Sequence, residues 1–282
     1  MSQHTPFSFA VAAIQMVSSA DLMDNLQQAH YWIKQAVQAG AKIVALPEYF
    51  CFLGLRDQDK NAYAEDFGSG PIQQFLAQAA KQHGIYLIGG TLPLRSEEAG
   101  RFYNSCLVYD PAGQCIGRYD KIHLFSFRRG EESYDEAKAI VPGEIAPTVI
   151  PTPYGNIGLG ICYDLRFPEL FRAMGAIDML VLPSAFTYTT GQAHWDILLR
   201  ARAIENQCYV LAPAQGGRHQ NGRRTWGHTM LIDPWGEKLG VWETEAGFIC
   251  HSINRERIQE IRQNLPALQH RQVALLKEKD IT

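Results

Sequence analysis

The sequence predicts an α/β fold, mixed sheets covered by helices, and three observations carry that prediction. Apolar strand-like runs alternate with segments of helical spacing along nearly all of the 282 residues. Two strand pairs turn on Asp-Pro-x-Gly tetrads, Asp110 to Gly113 and Asp233 to Gly236, and such hairpins break a purely parallel arrangement. No Gly/Ser/Pro-rich linker divides the chain, so a single domain over 1–282 is expected.

Each element follows from its own pattern. Residues 8–16 read as a buried strand. LMDNLQQAHYWIKQAVQAG (22–40) sets apolar residues at helical spacing and closes on Gly40, a C-cap residue. KIVALPE (42–48) is a second strand. PIQQFLAQAAKQHG (71–84) is a helix with Pro71 in its first turn, and IYLIGGTLPL (85–94) a third strand. NSCLVYDPAGQCIGRYDK (104–121) is a hairpin. Residues 122–147 form a long polar connection without a clear period, a kind of segment that often carries function. The pattern then restarts: NIGLGIC (156–162) as strand, FPELFRAMGA (167–176) as helix, DMLVLPSA (178–185) as strand. AHWDILLRARAIENQ (193–207) is a helix and CYVLAPAQ (208–215) a strand. HTMLIDPWGEKLG (228–240) is a hairpin, GFICHSIN (247–254) the last strand, and the tail from Arg255 is helical.

Composition removes several function classes. The chain is 46% hydrophobic and 20% charged with a net charge of −3, so no basic excess points to nucleic acid. The N-terminal residues lack the basic-then-apolar pattern of a signal peptide, and no apolar run approaches the roughly 18 residues of a membrane helix. Six cysteines lie far apart with no C-x-x-C, and Cys115 and His123 are too loosely spaced to suggest zinc. A reduced, cytoplasmic protein without a metal or other cofactor is the expectation.

Three residues stand where chemistry collects in such folds. Cys162, in GLGICYDLRF, follows a glycine-laced strand at a strand-to-helix turn. A helix N-terminus there would lower a thiol pKa and offer N–H groups to an anion. The bland alternative is a small buried cysteine in the core. Gly158-x-Gly160 with Asp178 about 20 residues on invites a dinucleotide reading, but Tyr163 occupies the third glycine position. Glu48 ends KIVALPE among Leu46, Pro47, Tyr49, Phe50 and Phe52, so its carboxylate is half desolvated and suited to act as a base. Lys121 ends another strand and, if buried, needs a partner. His123, His194 and His228 are rival bases, and residue types alone leave Cys–His and Cys–Glu–Lys both open.

LPEYF around Glu48, YDKIHLF around Lys121 and GICYDLRFPEL around Cys162 resemble, in order and spacing, the signature segments of the carbon–nitrogen hydrolase (nitrilase) superfamily. The resemblance runs from AAIQM (12–16) to PWGEKLG (234–240). Residues 193–219 and 227–236 are similar to its deaminated-glutathione amidase branch, whereas CYDLRFPEL is shared with ω-amidases. Trp226 stands where that branch has tyrosine, and Ser126-Phe127-Arg128-Arg129 where an acidic residue often follows HLF.

The resemblance implies a four-layer α-β-β-α sandwich and an amidase working through a cysteine thioester. Glu48 would be the general base, Lys121 the oxyanion stabiliser and Cys162 the nucleophile. Glu136 would be the second glutamate, with Glu131 and Glu132 as neighbouring alternatives. The backbone N–H of Tyr163 would receive the oxyanion. Arg166 would anchor a substrate carboxylate unless it pairs with Glu169, with Arg128 and Arg129 next in line. The implied partner is a small-molecule amide, with assembly into a homodimer or higher homo-oligomer by analogy and no nucleic acid or membrane. Two other readings are an ω-amidase acting on α-ketoglutaramate or α-ketosuccinamate, and a non-catalytic binder of the same fold.

Overall fold

A computed structural model describes residues 8–130 and 132–272. In chain order the strands of the first half are β1 (Ser8–Gln15), β2 (Ala41–Ala45), β3 (Tyr86–Ile88), β4 (Leu92–Arg95), β5 (Phe102–Tyr109) and β6 (Cys115–Asp120). Then come β7 (Ser126–Arg129), β8 (Glu132–Asp135), β9 (Thr148–Thr152), β10 (Gly155–Leu159), β11 (Met179–Val181) and β12 (Tyr209–Ala212). The last are β13 (Gly216–Arg218), β14 (Arg224–Trp226), β15 (Thr229–Ile232), β16 (Lys238–Trp242) and β17 (Gly247–Asn254). The helices are α1 (Leu22–Gln38), α2 (Pro71–His83), α3 (Pro168–Ala173), α4 (Tyr188–Asn206), α5 (Arg255–Asn264) and α6 (Ala267–His270).

Two sheets form. One has seven strands in the order β17-β1-β2-β3-β5-β4 with β6 on β5; the other has six in the order β16-β15-β12-β11-β10-β9. Successive side chains on a strand face opposite ways, and the sequence exploits it. Val11 and Ala13 of β1 and Ile43 and Ala45 of β2 share a core with Ile157, Leu159 and Leu211 of the other sheet. Ala12, Ile14 and Val44 face the other way, onto Ile33 and Ala36 of α1 and Leu76 and Ala79 of α2. On the far side α4 brings Trp195, Leu199 and Ala203 against β11 and β12. The expected helix-sheet-sheet-helix layering follows from this two-sided burial, and it leaves the carboxyl ends of the parallel strands as the place where both sheets meet polar residues.

Four expectations need correction. The 85–94 run is two strands, broken at Gly89-Gly90, because Gly90 has φ +58° and a Cβ there would lie 2.2 Å from the Pro47 carbonyl. That approach seats the strand break under the Glu48 turn. Residues 122–147 contain the β7–β8 hairpin and a 3-10 turn over Glu136–Lys138. Strands of four residues with no buried position leave little alternation to detect. Helix α4 begins at Tyr188, five residues early, since Thr187 caps it by accepting from the Thr190 N–H (3.4 Å). The 156–162 strand stops at Leu159. The expected helices of the tail are α5 and α6, and residues 273–282 lie outside the described residues.

Candidate active site

Cys162 opens a five-residue 3-10 turn, Cys162–Arg166, with φ +48°, a left-handed conformation that a non-glycine residue holds only when its surroundings fix it. Its N–H donates to the Pro183 carbonyl at 3.0 Å. Asp164, fully buried, holds the rest of the turn. Its Oδ2 accepts from the Ile161 N–H (2.8 Å) and the Tyr119 hydroxyl (2.7 Å), and its Oδ1 from the His123 N–H (3.1 Å). Tyr119 lies two residues before Lys121, so one carboxylate ties the Cys162 turn to the strand that leads to Lys121.

Glu48 sits three residues beyond β2, only 1% exposed. Its Oε1 accepts from Lys121 Nζ (2.9 Å) and Asn104 Nδ2 (2.9 Å), and its Oε2 from the Ala185 N–H (2.8 Å). Gln215 crosses from the other sheet to donate to the Glu48 carbonyl (3.0 Å) and to Ser18 Oγ (2.7 Å). Lys121, fully buried just past β6, also donates to Glu136 at 2.9 Å (Oε1) and 2.8 Å (Oε2). Glu136 in turn accepts from the Tyr49 hydroxyl (3.0 Å) and the Phe125 N–H (2.7 Å).

Glu48, Glu136 and Cys162 line one cleft of about 490 Å³, together with Tyr49, Phe125, Tyr134, Tyr163, Arg166, Phe186 and Arg223. Lys121 lies behind the two carboxylates rather than on the cleft wall. Burial raises the Glu48 carboxyl above the ordinary glutamate value, and the Glu136 charge adds to it against the opposing Lys121. Burial works against the Lys121 charge, but Glu136 and Glu48 outweigh it and raise that pKa well above normal. Burial and the Glu48 charge raise the Cys162 thiol well above its ordinary value. The expectation that a helix N-terminus lowers this thiol is therefore overturned: the turn is a short 3-10 segment, and desolvation beside two carboxylates dominates. The arrangement can deprotonate a neutral thiol only through the adjacent carboxylate, during attack.

The remaining sequence expectations sort as follows. Glu136 stands against Lys121, whereas Glu132 Oε2 accepts from Thr189 Oγ1 (3.0 Å) and Glu131 lies outside the described residues. The Tyr163 N–H has no acceptor among the described residues, and Tyr163 lines the cleft. Arg166 is on the cleft wall at the end of the 3-10 turn, before α3 rather than on it. It makes no ion pair with Glu169; its Nη1 donates to His194 Nδ1 (3.2 Å). Arg128 and Arg129 are exposed on β7, away from the cleft. His123 Nδ1 is 2.7 Å from Asp164 Oδ1 and its ring stacks on Phe167 at 3.7 Å, so it is engaged elsewhere; His228 stacks on Trp226. Gly158 and Gly160 make room for packing, not phosphate: a Cβ would lie 2.7 Å from Ile177 Cδ1 and Met174 Sδ, or 3.0 Å from Leu182 and Phe171. Asp178 accepts from the Asn156 N–H (2.8 Å), a structural contact. Among the described residues no cluster of His, Cys, Asp and Glu is arranged to hold a metal, and no helix is long and apolar enough to cross a membrane.

Sequence reasoning missed Asp164, Asn104, Gln215, Tyr49 and Arg223. Each acts through a partner on a distant segment, and only the buried polar type of Gln215 beside an apolar strand gave any local sign.

Residues 10–263 match the sequence model of the family described as carbon–nitrogen hydrolase. The chain is 42% identical over 268 residues to a deaminated glutathione amidase of Synechocystis, covering 93% of this chain and 98% of that one. It is 40% identical over 270 residues to the human omega-amidase NIT2, covering 94% and 95%. In three dimensions it is similar to Nit3 of Saccharomyces cerevisiae, a member of branch 10 of the nitrilase superfamily. The TM-score is 0.83 and the identity 31%, with 99% of this chain and 98% of that one covered.

Proposed function

The chain belongs to the carbon–nitrogen hydrolase family and is an amidase, and from that premise we propose that it hydrolyses deaminated glutathione through a thioester on Cys162. The observation that carries the reading is the meeting of Cys162, Glu48 and Glu136 in one cleft, with Lys121 bonded to both carboxylates behind it.

In the proposed cycle Glu48 takes the Cys162 proton as sulfur attacks the amide carbonyl carbon. Negative charge gathers on the carbonyl oxygen. The unpartnered Tyr163 N–H donates to it and the Lys121 ammonium stabilises it by charge; one such donor is worth ~3 kcal/mol of barrier. Glu48 passes its proton to the leaving nitrogen, the C–N bond breaks, and a thioester remains. Glu48 then deprotonates a water that attacks the thioester, and the acid departs with the thiol restored. Glu136 keeps Lys121 charged and in place. Arg166 holds the carboxylate of the acyl half, being four residues from the nucleophile on the same turn.

The ω-amidase reading is second, supported by the 40% identity to the human omega-amidase. Comparing kcat/KM for deaminated glutathione with that for α-ketoglutaramate tests the choice: a preference for the second substrate moves the chain to the ω-amidase reading. Cys162→Ala tests the chemistry, with an expected loss of at least ~10⁴-fold in kcat on either substrate; retained hydrolysis sinks the thioester. The proposal extends to one catalytic domain over the whole chain and to a cytoplasmic setting, which suits six cysteines that are all unpaired. It also extends to self-association, for which exposed Ile197 and Ile204 on α4 offer an apolar face.

A further inference from the structure

The cleft holds a second set of charges that the proposed cycle does not use. Arg223, in the turn between β13 and β14, reaches Asp57 with two bonds, Nη1 to Oδ1 and Nη2 to Oδ2, each 3.2 Å. Asp57 Oδ1 also accepts from Lys60 Nζ at 2.9 Å, and Lys60 is only 2% exposed. Burial pushes the Asp57 carboxyl up, but Lys60 and Arg223 outweigh burial and hold it well below the usual carboxylate range. Asp57 is therefore ionised at neutral pH, and two cations face one carboxylate. The catalytic set is the reverse, with Lys121 facing Glu48 and Glu136. An anionic group entering the cleft is drawn to the Arg223 end and repelled from the two glutamates.

Arg223 and Arg166 share no partner, yet one aromatic row joins them. Arg166 Cζ lies 5.8 Å from the Tyr163 ring, and Tyr163 meets Phe125 edge-on at 5.2 Å. Phe125 is 5.7 Å from Tyr134, and Arg223 Cζ is 4.9 Å from the Tyr134 ring. Asp57 takes two of the N–H donors of Arg223, out of about five that a guanidinium carries, and Arg223 still lines the cleft. A row of aromatic rings with a guanidinium at each end fits an elongated molecule bearing a carboxylate at each end.

We infer that Arg223 sets specificity by receiving a carboxylate on the amine half of the substrate, while Arg166 holds the acyl half. This rests on the amidase reading above and narrows its substrate class to amides with a carboxylate on both sides of the scissile bond. The assignment of ends follows from the chain: Arg166 shares the turn of Cys162, so the half retained on sulfur stays beside it. The half that leaves is held by Arg223, which is 23% exposed and stays paired with Asp57 through two of its donors. Deaminated glutathione, whose amine half ends in a glycine carboxylate, has this form; a primary ω-amide does not.

The test compares deaminated glutathione with its C-terminal carboxamide, which differs only in that carboxylate. The wild type is expected to favour the free acid by at least ~10-fold in kcat/KM, mainly through KM, as loss of a charged hydrogen bond requires. In Arg223→Gln that ratio is expected to fall to near one. In Arg223→Lys it falls part of the way, because a point charge replaces the fork while the pairing with Asp57 is kept. A wild-type ratio near one overturns the inference whether or not Arg223→Gln folds, and so does a ratio unchanged in the variants. Turnover of α-ketoglutaramate with none of deaminated glutathione instead overturns the substrate proposal itself; equal turnover of acid and carboxamide overturns the role of Arg223 alone.

Discussion

The two sheets repeat one piece of topology and use it differently. β1, β2 and β3 run parallel with α1 and α2 as crossovers, and β10, β11 and β12 run parallel with α3 and α4 as crossovers. In each, the middle strand runs into Leu-Pro and then one polar residue: Leu46-Pro47-Glu48 after β2, Leu182-Pro183-Ser184 after β11. At the first, the side chain is the working part, a carboxylate bonded to Lys121, Asn104 and the Ala185 N–H. At the second, Ser184 Oγ turns back to its own Leu182 carbonyl (3.0 Å), and the backbone works instead. There the Pro183 carbonyl fixes Cys162 and the Ala185 N–H fixes Glu48. One half thus brings charge, and the other brings a sulfur atom and the backbone that aims it. Strand ends recurring in one geometry are interchangeable platforms, and the residue placed on each decides its part.

Among changes to the two strand-end platforms, the largest expected effect comes from removing the charge of the first half. Glu48→Gln keeps the shape of the turn but removes the proton acceptor, and kcat is expected to fall ~10²- to 10⁴-fold. In the proposed cycle Glu48 must be ionised to act as base. Burial, reinforced by Glu136, raises its folded value above the ordinary 4.5, so kcat/KM is expected to drop as pH falls through a midpoint above 4.5. A pH profile still flat at 4.5 breaks the contrast, because Glu48 would then be no more desolvated than a surface acid. A middle effect belongs to the strut joining the halves. Asp164→Asn leaves the Tyr119 and Ile161 donors facing an amide, and urea unfolding is expected to show a loss of ~3 kcal/mol; a loss under ~0.5 kcal/mol would remove Asp164 from that role. The smallest effect tests the second platform. Ser184→Ala is expected to lower stability by ~1 kcal/mol and kcat/KM by less than ~3-fold, since its hydroxyl serves only its own strand. A loss near that of Glu48→Gln would show that the halves are chemically equivalent after all.

The parts that were readable in the sequence are those written in local pattern. The parallel strands show as apolar runs, both Asp-Pro hairpins by their turn residues, and Glu48, Lys121 and Cys162 by standing at strand ends in the order of a known family. The break at Gly90 was hidden because its cause, the Pro47 carbonyl, belongs to another strand. Asp164 gives no local sign of its role, because its partners Tyr119 and His123 come from a hairpin and loop more than 40 residues upstream. Arg223 is one cation in a polar stretch; its weight comes from Asp57, 166 residues away in the chain, and from Lys60 beside it. Apolar periodicity reports which face a residue takes, but an ion pair across segments leaves no period to read.

The raised thiol of Cys162 carries a consequence outside the catalytic cycle. Peroxides and other stray oxidants react with thiolates far faster than with thiols, and oxidation past the sulfenic stage is irreversible for most proteins. A thiol held protonated by burial and by the Glu48 charge is expected to react slowly with such oxidants. In the proposed cycle it is unmasked only as it attacks a carbonyl. The desolvation that makes the nucleophile of that cycle hard to ionise also guards it from oxidants.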